Sequence, residues 1–338
     1  MTRVAINGLG RIGRAALKIV LETPGLELVA TNDIVPVENI AYLLKYDTVY
    51  GRYEKDVDTR DGNLTIEGKT YPYFSEKDPA RLPWADHGVD IVLECTGVFR
   101  TMEELKGHVE AGAQYVILSA PAKDEDTPTV IHGVNDSNGT THIVSCASCT
   151  TNSIAPVVEV MGRRTGIQKA MLTTIHAYTV SQGIVDGPSK KIRRGRAGAA
   201  NLVPTSTGAA IATTKGLPQY TGRFDGVAVR VPITVGSISD IVLVTERDTT
   251  VEEVNDIFRE EAQTERYQGV LGVSEDPIVS SDIIKDPRAS IVDLGMTQVV
   301  DGNLVKVMSW YDNEWGYTNQ MVREAISATK GMTEVQAQ

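Results

Sequence analysis

The chain is short of most features that would point to a membrane, a secretory route or a nucleic acid. It has only three cysteines in 338 residues, Cys95, Cys146 and Cys149, too few and too clustered for a disulfide framework. No run of about 18 apolar residues occurs, so no helical membrane span is expected. Nothing near Met1 has the basic, apolar and small-residue succession of a signal peptide, and together with the cysteine usage this sets the expectation of a reducing cytoplasm. Basic residues are in deficit, 33 Lys and Arg against 44 Asp and Glu. That argues against nucleic acid as the main partner, because phosphate backbones draw a basic surface. A small anion needs only a local positive pocket and stays compatible with an acidic chain. No low-complexity tract suggests disorder, and no second C-x-x-C or paired histidines accompany the cysteines, so no metal site is expected.

What is present reads as two domains, since one core rarely serves a chain of this length. In the first third, short apolar runs (Arg3 to Ile6, Leu26 to Thr31, Ile91 to Cys95, Tyr115 to Leu118) alternate with helical or loop segments. This is the pattern of an α/β domain with a mostly parallel, doubly wound sheet. Turns such as Asp61-Gly62-Asn63 suggest a hairpin inserted between Tyr50 and Tyr73. From about Ser148 the strands lengthen: Ala170 to Thr174, Gly226 to Val231, Ile238 to Thr245, Ser290 to Asp293 and Leu304 to Ser309. With an amphipathic helix over Val251 to Thr264, they predict an α+β domain with a mixed sheet. The boundaries expected are 1–148 and 149–312, with a C-terminal helical segment over 313–332 returning to the first domain and a frayed tail from Met332.

Asn7-Gly8-Leu9-Gly10-Arg11-Ile12-Gly13 sets G-x-G-x-x-G between a strand and a helix. Gly8 permits the tight turn, Gly10 the approach of a pyrophosphate, and Gly13 close helix–strand packing. The helix N-terminus supplies N–H groups and its positive dipole end. Three glycines alone could be an ordinary turn, but the βα context and Asp33, 20 residues beyond Gly13, mark a dinucleotide site. A carboxylate there accepts from the adenosine ribose and repels a 2′-phosphate, which favours NAD over NADP.

Ser145-Cys146-Ala147-Ser148-Cys149-Thr150-Thr151-Asn152 precedes a helical stretch. With the helix starting near Ser148, Cys149 lies in its first turn, where the dipole is expected to depress the thiol pKa. A thiol adds to an aldehyde and gives a thioester reactive enough to pass on its acyl group. His176, at the end of an apolar strand, is a candidate base for it; taken alone it reads rather as a satisfied core or surface imidazole.

The strings NGLGRIGR, SCASCTTN, TTIHAYT, TSTGAA, VRVP and SWYDNEWGY occur in this order from residue 3 to about residue 330. In them the chain resembles the phosphorylating glyceraldehyde-3-phosphate dehydrogenases. The resemblance implies a Rossmann domain and a catalytic domain with a mixed, mainly antiparallel sheet, assembled as a homotetramer. It implies oxidation of glyceraldehyde 3-phosphate with NAD and inorganic phosphate, as in glycolysis and gluconeogenesis. Carried over by position, Cys149 is the nucleophile and His176 its base. Thr179 and Arg230 match the site for the substrate's phosphate. Ser148, Thr150, Thr207 and Gly208 match the site for the attacking phosphate, with Arg194 a further candidate. Gly8, Gly10, Arg11, Ile12, Gly13, Asp33, Thr96, Ser119, Asn313 and Tyr317 match cofactor positions.

One block departs from the family, which usually has asparagine where this chain has Cys146. The resulting Cys146-x-x-Cys149 reads either as a small buried thiol in a tight turn or as a redox pair protecting the nucleophile. The basic run from Lys190 to Arg196 suggests nucleic acid by itself. The resemblance puts it instead in a loop from about Thr179 to Asn201 that reaches a neighbouring subunit's cofactor site. Gly187-Pro188 in that loop replaces a polar residue carried by NADP-using relatives. The rival activity is that of erythrose-4-phosphate dehydrogenase, which passes the acyl group to water. Retention of Thr207 to Ala210 favours phosphate as acceptor. A cysteine hydrolase or a non-catalytic binding protein on the same scaffold conflicts with the cofactor fingerprint and with intact Cys149, His176 and Arg230.

Overall fold

A computed structural model describes residues 1–136 and 141–336, with backbone only for 330–336. The chain divides into two units. The first comprises 1–130, 136–147 and 321–338, the second 131–135 and 148–320.

The first unit is built on six strands in the order Ile143–Ser145, Tyr115–Leu118, Ile91–Glu94, Thr2–Asn7, Leu26–Asn32, Tyr73–Phe74. Every pairing is parallel. Strand Thr2–Asn7 is central; its successor Leu26–Asn32 lies on one side and Ile91–Glu94 on the other, so the winding direction reverses at its C-terminal end, where such sheets bind ligands. Val4, Ala5, Ile6, Ile91, Val92 and Leu93 are essentially inaccessible, as strands covered on both faces require. Helix Arg11–Glu22 follows the glycine turn directly, burying Ala15, Ala16, Leu17, Ile19 and Val20. The expected hairpin is a three-stranded antiparallel meander, Val57–Arg60, Asn63–Ile66 and Lys69–Tyr71. Gly62 (φ 74°) and Gly68 (φ 76°) supply left-handed turn positions.

The second unit carries an eight-stranded sheet. From one edge it runs Val203–Ser206, Phe224–Val231, Ile167–Ala177, Ser237–Thr245, Leu304–Tyr311, Ser290–Asp293, Leu271–Ser274, and Gln298–Val300 also pairs with Leu304–Tyr311. Two pairings are parallel and five antiparallel, which is the mixed, mainly antiparallel sheet expected. Helices Cys149–Arg164 and Val251–Ala262 bury Ile154, Val157, Val158, Met161, Val254, Ile257 and Phe258 in its core with Leu172, Ile241, Leu243, Val305 and Val307.

Helix Cys149–Arg164 starts where it does because the Ser148 hydroxyl accepts the Thr151 N–H at 3.1 Å as N-cap. It ends with Arg163 and Arg164 in the last turn and Gly166 at φ 72° just beyond. The tail does not fray at Met332: helix Trp315–Gln336 continues past it, and only Ala337 and Gln338 of that expectation lie outside the described residues.

Candidate active site

In the first unit the glycine turn bounds a cavity of about 440 Å³, lined among others by Asn7, Gly8, Gly10, Asn32, Asp33, Thr96 and Phe99. The three glycines have different reasons. A Cβ on Gly8, which sits at φ 90°, would meet Thr96 backbone at 2.7 Å, and one on Gly13 would fall 1.8 Å from the Gly8 carbonyl oxygen. At Gly10 a Cβ would have no protein atom within 4 Å. The space over Gly10 is therefore open, at the start of a helix whose first N–H groups have no intrahelical acceptor, and this fits an approaching pyrophosphate. Asp33 anchors the turn: one carboxylate oxygen accepts the Leu9 N–H at 2.6 Å and the other the Val35 N–H at 3.0 Å. Both oxygens keep a lone pair for further donors.

Of the other expected cofactor positions, Arg11 pairs with Asp47 at 2.5 Å, so the Arg11 guanidinium is committed. Ile12 lies in the same first turn. Ser119 donates its N–H to the Glu94 carbonyl at 2.9 Å. Asn313 and Tyr317 belong to the second unit and are both buried. The Asn313 side-chain oxygen accepts from the Gly236 N–H at 3.2 Å and the Ser237 hydroxyl at 2.9 Å.

In the second unit, Cys149 opens its helix, and its Sγ lies 3.4 Å from His176 Nε2. Strand register then delivers the cation: His176 is paired directly with Arg230 on the neighbouring parallel strand. Arg230 Nη1 stands 2.6 Å from His176 Nδ1 and donates to the Ala177 carbonyl at 2.9 Å. Nδ1 is also 2.7 Å from that carbonyl. These two neighbours suit opposite tautomers. With Nδ1 protonated toward the carbonyl, Nε2 turns its lone pair to Cys149; with Nδ1 accepting from Arg230, Nε2 carries the hydrogen.

Burial and the Arg230 charge together push the His176 pKa down to about 3. Burial also raises the Cys149 thiol above its usual value, against opposing pulls from Arg230 and from hydrogen bonds with Thr150. The depressed thiol pKa expected at the helix start is therefore not found. Burial disfavours the charged form of each partner, moving the thiol up and the imidazole down. The pair is further framed by Tyr311, fully buried, whose hydroxyl lies 2.9 Å from both Thr150 Oγ1 and Thr174 Oγ1.

Of the expected phosphate ligands, Arg230 and Arg194 both meet the edge strand Val203–Ser206, Arg230 by pairing with Val203. Arg194 donates to Thr205 Oγ1 at 3.0 Å and to the Ser206 carbonyl at 3.3 Å, and Lys191 to Ser206 Oγ at 2.9 Å. Thr207 Oγ1 accepts the Ala209 N–H at 3.2 Å, and Gly208 caps helix Ala209–Gly216. Ser148 Oγ is 2.8 Å from Thr151 Oγ1, and Thr179 Oγ1 is 2.9 Å from Ser181 Oγ. Burial lowers the pKa values of Lys191, Arg194 and Arg230, and repulsion adds to it at Lys191 (from Arg194 and Arg230) and at Arg194 (from Arg230). Among the described residues no carboxylate lies within ion-pair distance of any of the three, so the cluster has unspent positive charge.

Sequence reasoning missed Lys191 within the basic run. It also missed the polar set Asn7, Asn32, Glu94 and His108 beneath the cavity; the signal was a glutamate closing the apolar strand Ile91–Glu94 and asparagines closing two others. Cys146 is 3% exposed, and burial holds its thiol well above the ordinary value. That favours the small buried thiol over the exposed low-pKa thiolate that redox sensing uses.

A parallel sheet with an open glycine turn and a unit carrying a cysteine–histidine pair beside unspent cations define a two-unit, dinucleotide-dependent oxidoreductase. Residues 2–102 match the family described as "Glyceraldehyde 3-phosphate dehydrogenase, NAD binding domain", and residues 148–313 the corresponding "C-terminal domain". Curated relatives include the glyceraldehyde-3-phosphate dehydrogenases of Thermotoga maritima (49% identical over 325 residues, 95% of this chain and 97% of the relative) and Streptomyces coelicolor (46% over 324 residues, 95% and 96%). Glyceraldehyde-3-phosphate dehydrogenase 1 of Bacillus cereus is 44% identical over 336 residues, 98% of this chain and all of the relative. The chain belongs to the glyceraldehyde-3-phosphate dehydrogenase family.

Proposed function

We propose that the protein oxidises D-glyceraldehyde 3-phosphate to 1,3-bisphosphoglycerate with NAD and inorganic phosphate, through a thioester on Cys149, in glycolysis or gluconeogenesis. The observation that carries this reading is Cys149 Sγ at 3.4 Å from His176 Nε2, with Arg230 in register beside the histidine. Residues 1–148 with 313–332 form the NAD-binding domain and 149–312 the catalytic domain. Gly8, Gly10, Gly13, Asp33 and Thr96, with the backbone of Arg11 and Ile12, and Ser119, Asn313 and Tyr317 hold the cofactor.

His176 accepts the Cys149 proton through Nε2, Sγ adds to the aldehyde carbon, and the imidazolium returns that proton to the carbonyl oxygen as the C=O π bond opens, giving a hemithioacetal hydroxyl. His176 then takes the proton of the resulting hydroxyl as the carbon loses hydride and becomes a thioester. When bound, NAD supplies the two-electron acceptor that receives this hydride at nicotinamide C4. Thr179 and Arg230 hold the substrate's own phosphate. Ser148, Thr150, Thr207, Gly208 and Arg194 orient the attacking phosphate, whose oxygen bonds to the thioester carbon as the C–S bond breaks and the Cys149 thiolate returns.

The loop near Thr179 to Asn201 exposes Val180, Ile184, Val185 and Ile192. Such an apolar loop calls for cover and supports the reading of a homotetramer. None of the three cysteines is in a disulfide, which suits a cytoplasmic protein. Among the described residues no helix is long and apolar enough to cross a membrane.

The test is NADH production from glyceraldehyde 3-phosphate with and without inorganic phosphate. Strict phosphate dependence supports the reading. Equal turnover without phosphate means that the thioester goes to water, as in erythrose-4-phosphate dehydrogenases.

A further inference from the structure

We propose that Glu94, gripped by His108 and Asn7, is a positioning residue for dinucleotide binding, acting through Thr96 and Asn7 on the wall of the cavity. The inference rests on reading that cavity as the dinucleotide site.

Glu94 ends the strand Ile91–Glu94 and is completely buried, as are His108 and Trp84, with Asn7 at 1% exposure. The Trp84 indole N–H donates to His108 Nδ1 at 3.0 Å. An indole nitrogen can only donate, so Nδ1 is the lone-pair nitrogen and the imidazole hydrogen sits on Nε2. That hydrogen points at Glu94 Oε2, 3.0 Å away, which also accepts from Asn7 Nδ2 at 2.5 Å. The other oxygen accepts the Thr96 N–H at 2.7 Å and the Thr96 hydroxyl. All four neighbours donate, the arrangement an ionised carboxylate needs when it is cut off from water.

The grip reaches the cavity at several points. Asn7, Asn32, Glu76, Thr96 and Phe99 all line it. Asn7 Oδ1 accepts from Asn32 Nδ2 at 2.7 Å, and Asn32 exchanges bonds of 2.9 Å with the backbone N–H and carbonyl of Glu76. The His108 ring stands edge-on to Phe99, centroids 6.4 Å apart. Thr96 is also the residue that a side chain on Gly8 would strike, so the carboxylate fixes how closely two walls of the pocket approach. An apolar residue would fill the same volume without the desolvation cost of a charge; four directed bonds instead fix the geometry of residues that face the ligand. The Thr96 hydroxyl hydrogen is spent on Glu94, and its oxygen accepts the Val98 N–H at 3.1 Å. Thr96 therefore meets a ligand with its methyl group and backbone.

The test uses the full-length protein carrying Glu94→Gln, whose amide would set its own N–H groups against donors. NAD affinity is measured by titration without substrate, alongside circular dichroism, thermal unfolding of the unliganded protein and iodoacetamide alkylation of Cys149 without NAD. The expected result is a dissociation constant raised about 10-fold or more, the scale of one lost hydrogen bond to a charge. Turnover at saturating NAD stays within about 3-fold, and alkylation is unchanged. Should Glu94→Gln fail to fold, His108→Leu and His108→Gln replace it. Leu removes the donor and raises the dissociation constant, whereas Gln keeps an N–H toward Glu94 and largely restores it. A native-like variant that melts earlier yet binds NAD as tightly as wild type overturns the inference. Failure of the wild-type protein to bind NAD would instead overturn the dinucleotide reading itself.

Discussion

The glycine turn supports a paired perturbation in which stability and ligand binding separate. At Gly13 a Cβ would fall 1.8 Å from the Gly8 carbonyl oxygen, against a floor of 3.0 Å for real contacts. The helix and the turn must part by more than 1 Å, and since the obstacle is backbone, no side chain can yield instead. Overpacking of this kind costs about 1–3 kcal/mol, and the rigid partner puts Gly13→Ala at the upper end. For a unit of this size that is roughly 5–10 °C in melting temperature. Gly10 has negative φ (−66°) and no protein atom within 4 Å of an added Cβ. Gly10→Ala should therefore lose no more than about 1 kcal/mol, from a poorer helix N-cap. Its new methyl group nevertheless fills the space assigned to the pyrophosphate, so the NAD dissociation constant should rise at least about 10-fold. Scanning fluorimetry of the unliganded variants and NAD titration read the two effects separately. Gly10→Ala binding NAD as tightly as wild type would refute the placement of the pyrophosphate over this turn. Equal destabilisation by the two substitutions would refute the steric argument.

Cys149→Ser should abolish turnover while leaving NAD titration nearly unchanged, and His176→Asn should lower turnover by roughly two to four orders of magnitude; near-wild-type rates in either would remove that residue from the mechanism. Asp33→Asn keeps a side-chain oxygen for the turn but removes the negative charge, so the ratio of kcat/KM with NADP to that with NAD should rise about 10-fold or more; an unchanged ratio would mean that discrimination lies elsewhere. Glu261 is 5% exposed, and hydrogen bonds from Arg163, then Arg164, hold its carboxyl below the usual range. A folded-state pKa below the unfolded value of about 4.3 stabilises above that value, and the gain is lost as pH falls through the folded value. Glu261→Gln should thus cost about 1–3 kcal/mol at pH 7, with the gap to wild type closing below about pH 4; a gap constant from pH 7 to pH 3 would refute the ion-pair account.

The elements that were legible carry their own periodicity or punctuation. Helix Arg11–Glu22 and strand Tyr115–Leu118 fall where the apolar spacing puts them, because their burial pattern repeats within a few residues. Strands Val203–Ser206 and Leu271–Ser274 were not foreseen: each has four residues and owes its conformation to a partner distant in sequence, Phe224–Val231 and Ser290–Asp293. The meander between Val57 and Tyr71 was read one strand short for the same reason, since Lys69–Tyr71 is a strand only because it pairs with Asn63–Ile66. Lys191 was hidden inside a charge run; what distinguishes it is the strand Val203–Ser206, which brings Ser206 within hydrogen-bonding reach.

The electrostatics of the reacting pair resisted sequence reading for a deeper reason. A helix start beside a serine cap is a local feature, and it predicts a lowered thiol pKa. Desolvation is a property of the packed surroundings, supplied here by a strand 27 residues on and by Arg230 and Tyr311 from still further along the chain. Burial sets the direction of both shifts, raising the thiol and lowering the imidazole. Arg230 then acts on the two partners in opposite senses. It lowers the thiol pKa, which helps the thiolate, and it lowers the imidazole pKa, which opposes the imidazolium that must form when the proton crosses. An anion held by Arg230 would cancel part of its charge and make the imidazole more basic. In the proposed mechanism, substrate anchoring and the basicity of His176 are thus coupled through the strand register that pairs His176 with Arg230, and no single motif in the sequence contains that register.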